Sequence, residues 1–176
     1  MKYRKTMTTL ALVLLASGCS QPAEEKRAFQ VPDALCGTPV PVELLSPALP
    51  ASGERIEEER KDGDGYFTCK VAVDGKSALT ARWEWMKAGK TARSVAYDNP
   101  YRDLADVESE DKRYVYSGVG GVSRVTCEPV VAHRKGQAEL FATIALSDRE
   151  APAPEMKKLL LAYAEALSDS SECVQK

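Results

Sequence analysis

The chain has 176 residues, 44% of them hydrophobic and 28% charged, which suits one globular domain and leaves little room for a second. Its 24 Lys and Arg against 26 Asp and Glu give a formal charge of -2, spread without a basic block, which argues against nucleic acid as a partner. A single His, His133, leaves few ways to build a His-rich metal centre or an imidazole relay.

The first element is a basic start (Lys2, Arg4, Lys5) followed by an apolar run from Leu10 to Ala16 and small residues before Cys19, the pattern of a secretory signal peptide over residues 1–18. The run is well short of the roughly 20 residues a membrane-spanning helix needs. Leu15-Ala16-Ser17-Gly18-Cys19 resembles the lipobox of bacterial lipoproteins, with Ala16 where an aliphatic residue is usual. The resemblance implies that Cys19 is diacylglycerylated, becomes the mature N-terminus and holds the protein on the outer side of the cytoplasmic membrane; in a diderm host Ser20 would permit outer-membrane sorting. Two acyl chains on one residue give a lasting anchor where one gives a marginal one. Ala16 and Gly18 also satisfy the small-x-small rule of ordinary cleavage, which would release the same chain into the medium. Cysteine parity favours the lipid: of five cysteines, removing Cys19 leaves Cys36, Cys69, Cys127 and Cys173, an even set in an oxidising compartment. Loss of the leader leaves 21 Lys and Arg against 26 Asp and Glu, a mildly acidic exported part.

Residues 19–31 read as a lipidated flexible tether, polar and without apolar period, and residues 32–176 as a single extracytoplasmic domain. A Pro-rich stretch (Pro39, Pro41, Pro47, Pro50) allows one or two helical turns between Pro41 and Ala48. Ser52 to Gly65, with six acids, reads as an exposed loop. Alternation then predicts a strand from Tyr66 to Val73, with Phe67, Cys69, Val71 and Val73 on one side, and a second from Ala78 to Met86 with Leu79, Ala81, Trp83 and Trp85. Parity argues against a two-residue turn, which would set Leu79 against Lys70 and split the apolar sets. A three-residue turn with Gly75 at positive φ would set Leu79 against Cys69 and Ala81 against Phe67.

Tyr114 and Tyr116 predict a further strand turning at Gly118, Gly120 and Gly121, which lead into a strand and so lack the amide array of a phosphate loop. Val122 to Ala132 and Gln137 to Leu146 predict a hairpin around His133-Arg134-Lys135-Gly136, with Cys127 opposite Ala142 and Pro129 marking an edge or bulge. The similar openings Phe67-Thr68-Cys69 and Val125-Thr126-Cys127 raise a degenerate duplication, which alternating strands also mimic. Met156, Leu159, Leu160, Tyr163 and Leu167 recur at helical spacing after Pro152 and Pro154 and predict the main helix. The expected class is α+β: an antiparallel sheet of about four to six strands packed by the C-terminal helix, with a short N-terminal helix, two disulfides and an opposite face open to solvent.

Three pairings of four cysteines exist. Cys36 with Cys69 and Cys127 with Cys173 is preferred because each bridge would tie a helix-flanking segment onto a strand; Cys69 with Cys127 is the runner-up. A zinc site is the alternative, but no two of these cysteines are close in sequence. Asp62-Gly63-Asp64-Gly65 fails as a calcium loop because Tyr66 and Phe67 follow where an oxygen ligand and the turn glycine belong. No nucleophile motif accompanies His133, so no catalytic residue, metal or cofactor is expected.

The candidate binding residues are aromatic and basic. Trp83 and Trp85 share a strand face and, with Tyr97, Tyr101, Tyr114 and Tyr116, are candidates to line a pocket; packing of the tryptophans in the core is the alternative. Tyr97 to Asp111, containing Tyr101 and Arg102, is the expected binding rim. The lipobox, Cys36-Gly37-Thr38-Pro39-Val40 with Leu44-Leu45, the Thr68-Cys69 strand and Trp83-Glu84-Trp85 together resemble small actinobacterial cell-envelope lipoproteins of unknown function. That resemblance implies an envelope-anchored, disulfide-containing domain and transfers no catalytic residue. The expectation is a lipid-anchored, non-enzymatic protein that binds an envelope component or protein partner. Its rivals are a carrier of a small apolar ligand between sheet and helix, and an extracytoplasmic hydrolase.

Overall fold

The computed structural model describes residues 26–98, 103–127 and 138–174. The C-terminal helix α3 (Ala153–Ser168) starts after Pro152, carries Pro154 in its first turn and buries Met156, Leu159, Leu160, Tyr163, Ala164 and Leu167, the one-sided stripe its periodicity predicts. It lies across a seven-stranded antiparallel sheet. In chain order the strands are β3 (Ile56–Gly63), β4 (Tyr66–Val73), β5 (Lys76–Lys87), β6 (Val107–Glu108), β7 (Tyr114–Ser117), β8 (Gly120–Val125) and β9 (Ala138–Leu146). They follow a two-stranded hairpin of β1 (Ala34–Leu35) and β2 (Thr38–Pro39), and a short helix α1 (Val42–Leu45) that tightens into a 3-10 turn over Ser46–Ala48.

The spatial order β3-β4-β5-β9-β8-β7-β6 joins two meanders side by side through β5 and β9. A short helix α2 (Ala92–Tyr97) begins the long return from the centre of the sheet to its far edge. Its start is set by Thr91 and Ser94, whose hydroxyls each accept the other's backbone N–H, at 3.1 and 3.0 Å.

Two apolar layers result. On the α3 side, Phe67, Cys69 and Val71 of β4 join Leu79, Ala81 and Trp83 of β5 and Leu140, Ala142, Ile144 and Leu146 of β9. Phe29, Leu35, Val40, Leu45 and Leu49 from the N-terminal segment complete this core. Gly121 lets α3 approach, because a Cβ there would meet the Val115 carbonyl at 2.6 Å and Leu160 Cδ2 at 2.8 Å. On the other side, Ala92, Val95 and Ala96 of α2 with Leu104 and Ala105 cover Val115, Val122, Phe141 and Ala145. The face expected to be solvated is therefore covered over β7–β9 and open only over β3–β5, where Lys70 is exposed and Arg82 pairs with Glu84.

The structure corrects several local expectations. The acidic segment expected as a loop is the edge strand β3, paired residue for residue with β4 from Ile56↔Val73 to Gly63↔Tyr66. Alternation is absent there because neither face of an edge strand is fully covered, and its charges discourage further pairing. This strand and the two-residue β6 take the sheet past the expected four to six. The β4–β5 turn is the two-residue Asp74-Gly75, with φ of 50° and 75°, and a bulge restores the parity that such a turn alone would break. The register passes from Val73↔Lys76 and Ala72↔Ser77 to Val71↔Leu79, so Ala78 is the extra residue and Cys69 faces Ala81. In the second pair Ser123, not Cys127, opposes Ala142; β8 ends at Val125 and Cys127 lies beyond it. Cys69 and Cys127 thus hold different places on their strands, and the duplication has no support in register. Pro129 and His133 lie outside the described residues.

The tether boundary also shifts. The Arg27 guanidinium donates to the Pro50 carbonyl (2.8 Å), Ser46 Oγ (2.7 Å) and the carbonyls of Ser46 (3.0 Å) and Leu49 (3.1 Å), closing the open end of α1 and its 3-10 turn. Phe29 is buried in the core, and the Arg27 guanidinium lies 5.2 Å from its ring centre. Docked chain therefore extends back to Arg27 instead of starting at Pro32.

Both preferred disulfides are present, Cys36–Cys69 with Cα atoms 5.7 Å apart and Cys127–Cys173 with 4.8 Å. They are the bridges of a chain folded in oxidising, extracytoplasmic surroundings. Among the described residues no helix is long and apolar enough to cross a membrane.

Candidate functional site

The loop after α2 meets the sheet through alternating residues. Leu104 and Ala105 are buried, while Asp103 and Asp106 on either side are exposed. Ser117, buried at the end of β7, fixes this loop: its hydroxyl donates to the Asp103 carbonyl at 2.7 Å and accepts the Val119 N–H at 3.2 Å. The Asp103 carboxylate in turn accepts the Ala105 N–H at 3.2 Å. The β9–α3 connection approaches from the far side. Asp148 takes a positive φ of 46°, and the Ala151 N–H donates to the Gly118 carbonyl at 2.9 Å.

Together these segments enclose an open cleft of about 540 Å³ lined by Asp103, Asp106, Ser117, Gly118, Val119, Asp148, Arg149 and Glu150. Four exposed carboxylates and one guanidinium line it, so the cleft is acidic. Arg149 reaches back to the Pro47 carbonyl at 3.4 Å, and burial, then the positive charge of Arg27, hold its pKa below the ordinary guanidinium value. The site is shaped for a positively charged group. Among the described residues it presents no nucleophile beside a base, since Ser117 is committed to backbone groups.

The aromatic candidates do not converge. Trp83 is 9% exposed and stacks on Phe67 with ring centres 5.8 Å apart, and Trp85 is partly buried against the same core on the α3 side. Tyr97 ends α2 on the opposite side of the sheet and is 67% exposed. Its hydroxyl accepts from Arg93 at 3.3 Å, and Arg93 also pairs with Glu108 at 3.2 Å and donates to the Ala105 carbonyl at 3.3 Å. Tyr114 and Tyr116 of β7 pack against the α3-side core as the tryptophans do, under Lys157 of α3, whose Nζ is 5.4 and 5.8 Å from their ring centres, while Tyr97 stands on the other side of the sheet. A single aromatic pocket uniting these residues is therefore not formed. Tyr101, Arg102 and the lipidation candidate Cys19 lie outside the described residues.

Of the segment 97–111 expected as a binding rim, Asp103 and Asp106 line the cleft, and Tyr97 is not among its lining residues. Sequence reasoning missed the opposite wall. Its signal was the run Asp148-Arg149-Glu150, polar residues held between the end of an apolar strand and the Pro152 start of a helix. As for metals, Cys36, Cys69 and Glu58 bring ligand-type atoms within 4.8 Å of one another, but the two sulfurs are bonded together and offer no thiolate. Comparison with known protein families, with curated proteins and with solved structures finds no match to this chain.

Proposed function

We propose that the chain is a lipid-anchored, non-enzymatic envelope protein, held by Cys19 on the outer side of the cytoplasmic membrane, whose acidic cleft receives a basic segment of an envelope component or protein partner. The observation that carries this reading is the cleft itself. Two chain segments far apart in sequence, 103–106 and 148–150, are pinned by hydrogen bonds from the Ser117 hydroxyl and the Ala151 N–H so that four carboxylates border one open concavity. Loops held on a rigid scaffold are where recognition concentrates, and a cleft of one sign attracts the opposite charge and raises its local concentration. The two disulfides and the acidic exported composition fit an extracytoplasmic domain, and the resemblance to envelope lipoproteins fits the anchor.

Charge reversal on opposite walls tests the reading, with Asp106→Lys combined with Glu150→Lys, neither of which touches the core. Photo-crosslinking from Val119 in envelope preparations should capture a partner in the wild type, with capture weakened by salt and lost in the double variant. Equal capture by both, insensitive to salt, would overturn the assignment of the cleft. Separately, Cys19→Ala should abolish incorporation of labelled fatty acid and membrane retention; a wild-type chain free of lipid would overturn the anchor alone.

A further inference from the structure

The two disulfides differ in their surroundings. Cys36 and Gly37 form the two-residue turn between β1 and β2, with φ of 47° and 94° and Leu35 opposite Thr38. That position leaves Cys36 partly exposed at a tip, while its partner Cys69 is fully buried in the middle of β4. The bridge therefore has an outer and an inner sulfur. Cys127 and Cys173, by contrast, are both buried.

Glu58 of β3 sits beside the first bridge. Its carboxylate accepts the Cys36 N–H at 3.0 Å, and one of its oxygens and both sulfurs lie within 4.8 Å of one another. Loss of water around it raises its pKa above the ordinary value of 4.5, against the opposing effect of the Cys36 N–H. The other charged groups on this face of β3 are committed. Arg60 donates to the Cys36 carbonyl at 3.2 Å, lies over the Phe67 ring at 4.9 Å and holds Asp62 through two bonds of 2.8 Å. From α3, which packs on β2, Tyr163 keeps its proton because burial pushes its phenol far up. Across β5, Cys69 faces Ala81. Glu58 is thus the group placed to hand a proton to the bridge.

We propose that Cys36–Cys69 is a thiol–disulfide exchange site with Glu58 as its proton donor, taking an external dithiol as co-reactant. A thiolate of the dithiol attacks Sγ of Cys36, the partly exposed member of the pair, and forms a mixed disulfide. The Cys36–Cys69 bond breaks, and the inner sulfur leaves as the Cys69 thiol with the proton of the Glu58 carboxyl. The second thiol of the dithiol, deprotonated by water, then displaces Sγ of Cys36, which takes a proton from solvent. Two electrons pass to the protein, the dithiol ends as a disulfide, and water reprotonates Glu58. The proton matters because a bare thiolate at Cys69 would be a charge expelled into the core, and a protonated leaving sulfur departs more readily.

Folded full-length protein is treated with dithiothreitol from pH 4.5 to 8, quenched with acid, alkylated and mapped by mass spectrometry, so that each bridge is timed separately. The expected result is that Cys36–Cys69 opens at least about tenfold faster than Cys127–Cys173. Its rate per dithiothreitol thiolate should fall as pH rises through the Glu58 pKa. Glu58→Gln should slow that bridge by roughly 10- to 100-fold at the acid end and flatten the profile, with Glu58→Asp restoring part of both. Equal rates for the two bridges, a flat wild-type profile, or a Glu58→Gln profile that follows the wild type would each overturn the proposal. The two wild-type measurements decide it even where a variant does not fold.

Discussion

Replacing Arg27 tests whether the domain begins where the hydrogen bonds place it. The guanidinium makes four bonds of 2.7 to 3.1 Å, three of them to the carbonyls of Ser46, Leu49 and Pro50. Hydrogen bonds from a charged donor contribute about 1.5–3 kcal/mol each in favourable settings. These acceptors are only part-buried and water can replace some of the bonds, so we expect Arg27→Ala to cost about 2–3 kcal/mol in total. Arg27→Lys keeps the charge but not the planar fork, and should lose about half as much. Phe29→Ala removes a buried ring from the same segment and should cost about 3 kcal/mol or more. Urea unfolding followed by tryptophan fluorescence reads these differences through Trp83 and Trp85. With a urea slope of roughly 2 kcal/mol per molar, Arg27→Ala should lower the midpoint by about 1 M. A chain starting at Lys26 should match the mature protein, whereas one starting at Pro32 should fall by more than either single variant. Identical midpoints for the two truncations would refute the reasoning and return residues 27–31 to the tether.

The Cys127–Cys173 bridge closes a separation of 46 residues, so Cys127→Ser with Cys173→Ser should cost about 4 kcal/mol on the chain-entropy estimate, read by thermal or urea unfolding; a loss under 1 kcal/mol would count against it. Asp74 accepts the N–H groups of Arg55 (2.8 Å) and Glu54 (3.1 Å), which hold its carboxyl below its ordinary value of 3.8. Its contribution is therefore present above pH 3.8 and is lost as pH falls through the depressed native value. Asp74→Asn, which keeps a residue suited to positive φ, should flatten the acid limb of the stability curve; an unchanged limb would remove Asp74 from that account.

Sequence patterns reveal those elements whose environment is one-sided. The α3 stripe was legible because one face meets the sheet and the other meets water, and the inner sets of β4 and β5 were legible for the same reason. Parity pointed away from the two-residue turn that β4 and β5 in fact use, because the bulge at Ala78 restores the register and no residue type announces a bulge. Strand β3 was hidden because its pairing with β4 is made by backbone, while its side chains stay mostly in water. Arg27 was hidden because a polar segment gains order from carbonyls 19 to 23 residues away. Residues 103–106 of the cleft fall within the long connection singled out in the sequence, but for its aromatic and basic residues and not for the acids that line the cleft. Their meeting with 148–150 depends on β7, β8 and β9 being neighbours, a long-range fact.

The Arg27 clamp shortens the leash. If Cys19 carries the lipid, only eight residue steps join the acyl chains to a fixed point on the domain, at most about 28 Å of fully extended backbone. A compact domain of this size has a radius of gyration near 15 Å, hence a diameter well beyond that reach. The protein then cannot tumble freely above its anchor, and its Arg27 end stays turned toward the headgroups. Arg149, which lies close enough to feel the charge of Arg27, lines the acidic cleft. With such a short attachment, a lipid on Cys19 would keep the wall of the cleft that holds Arg149 on the membrane-proximal part of the domain.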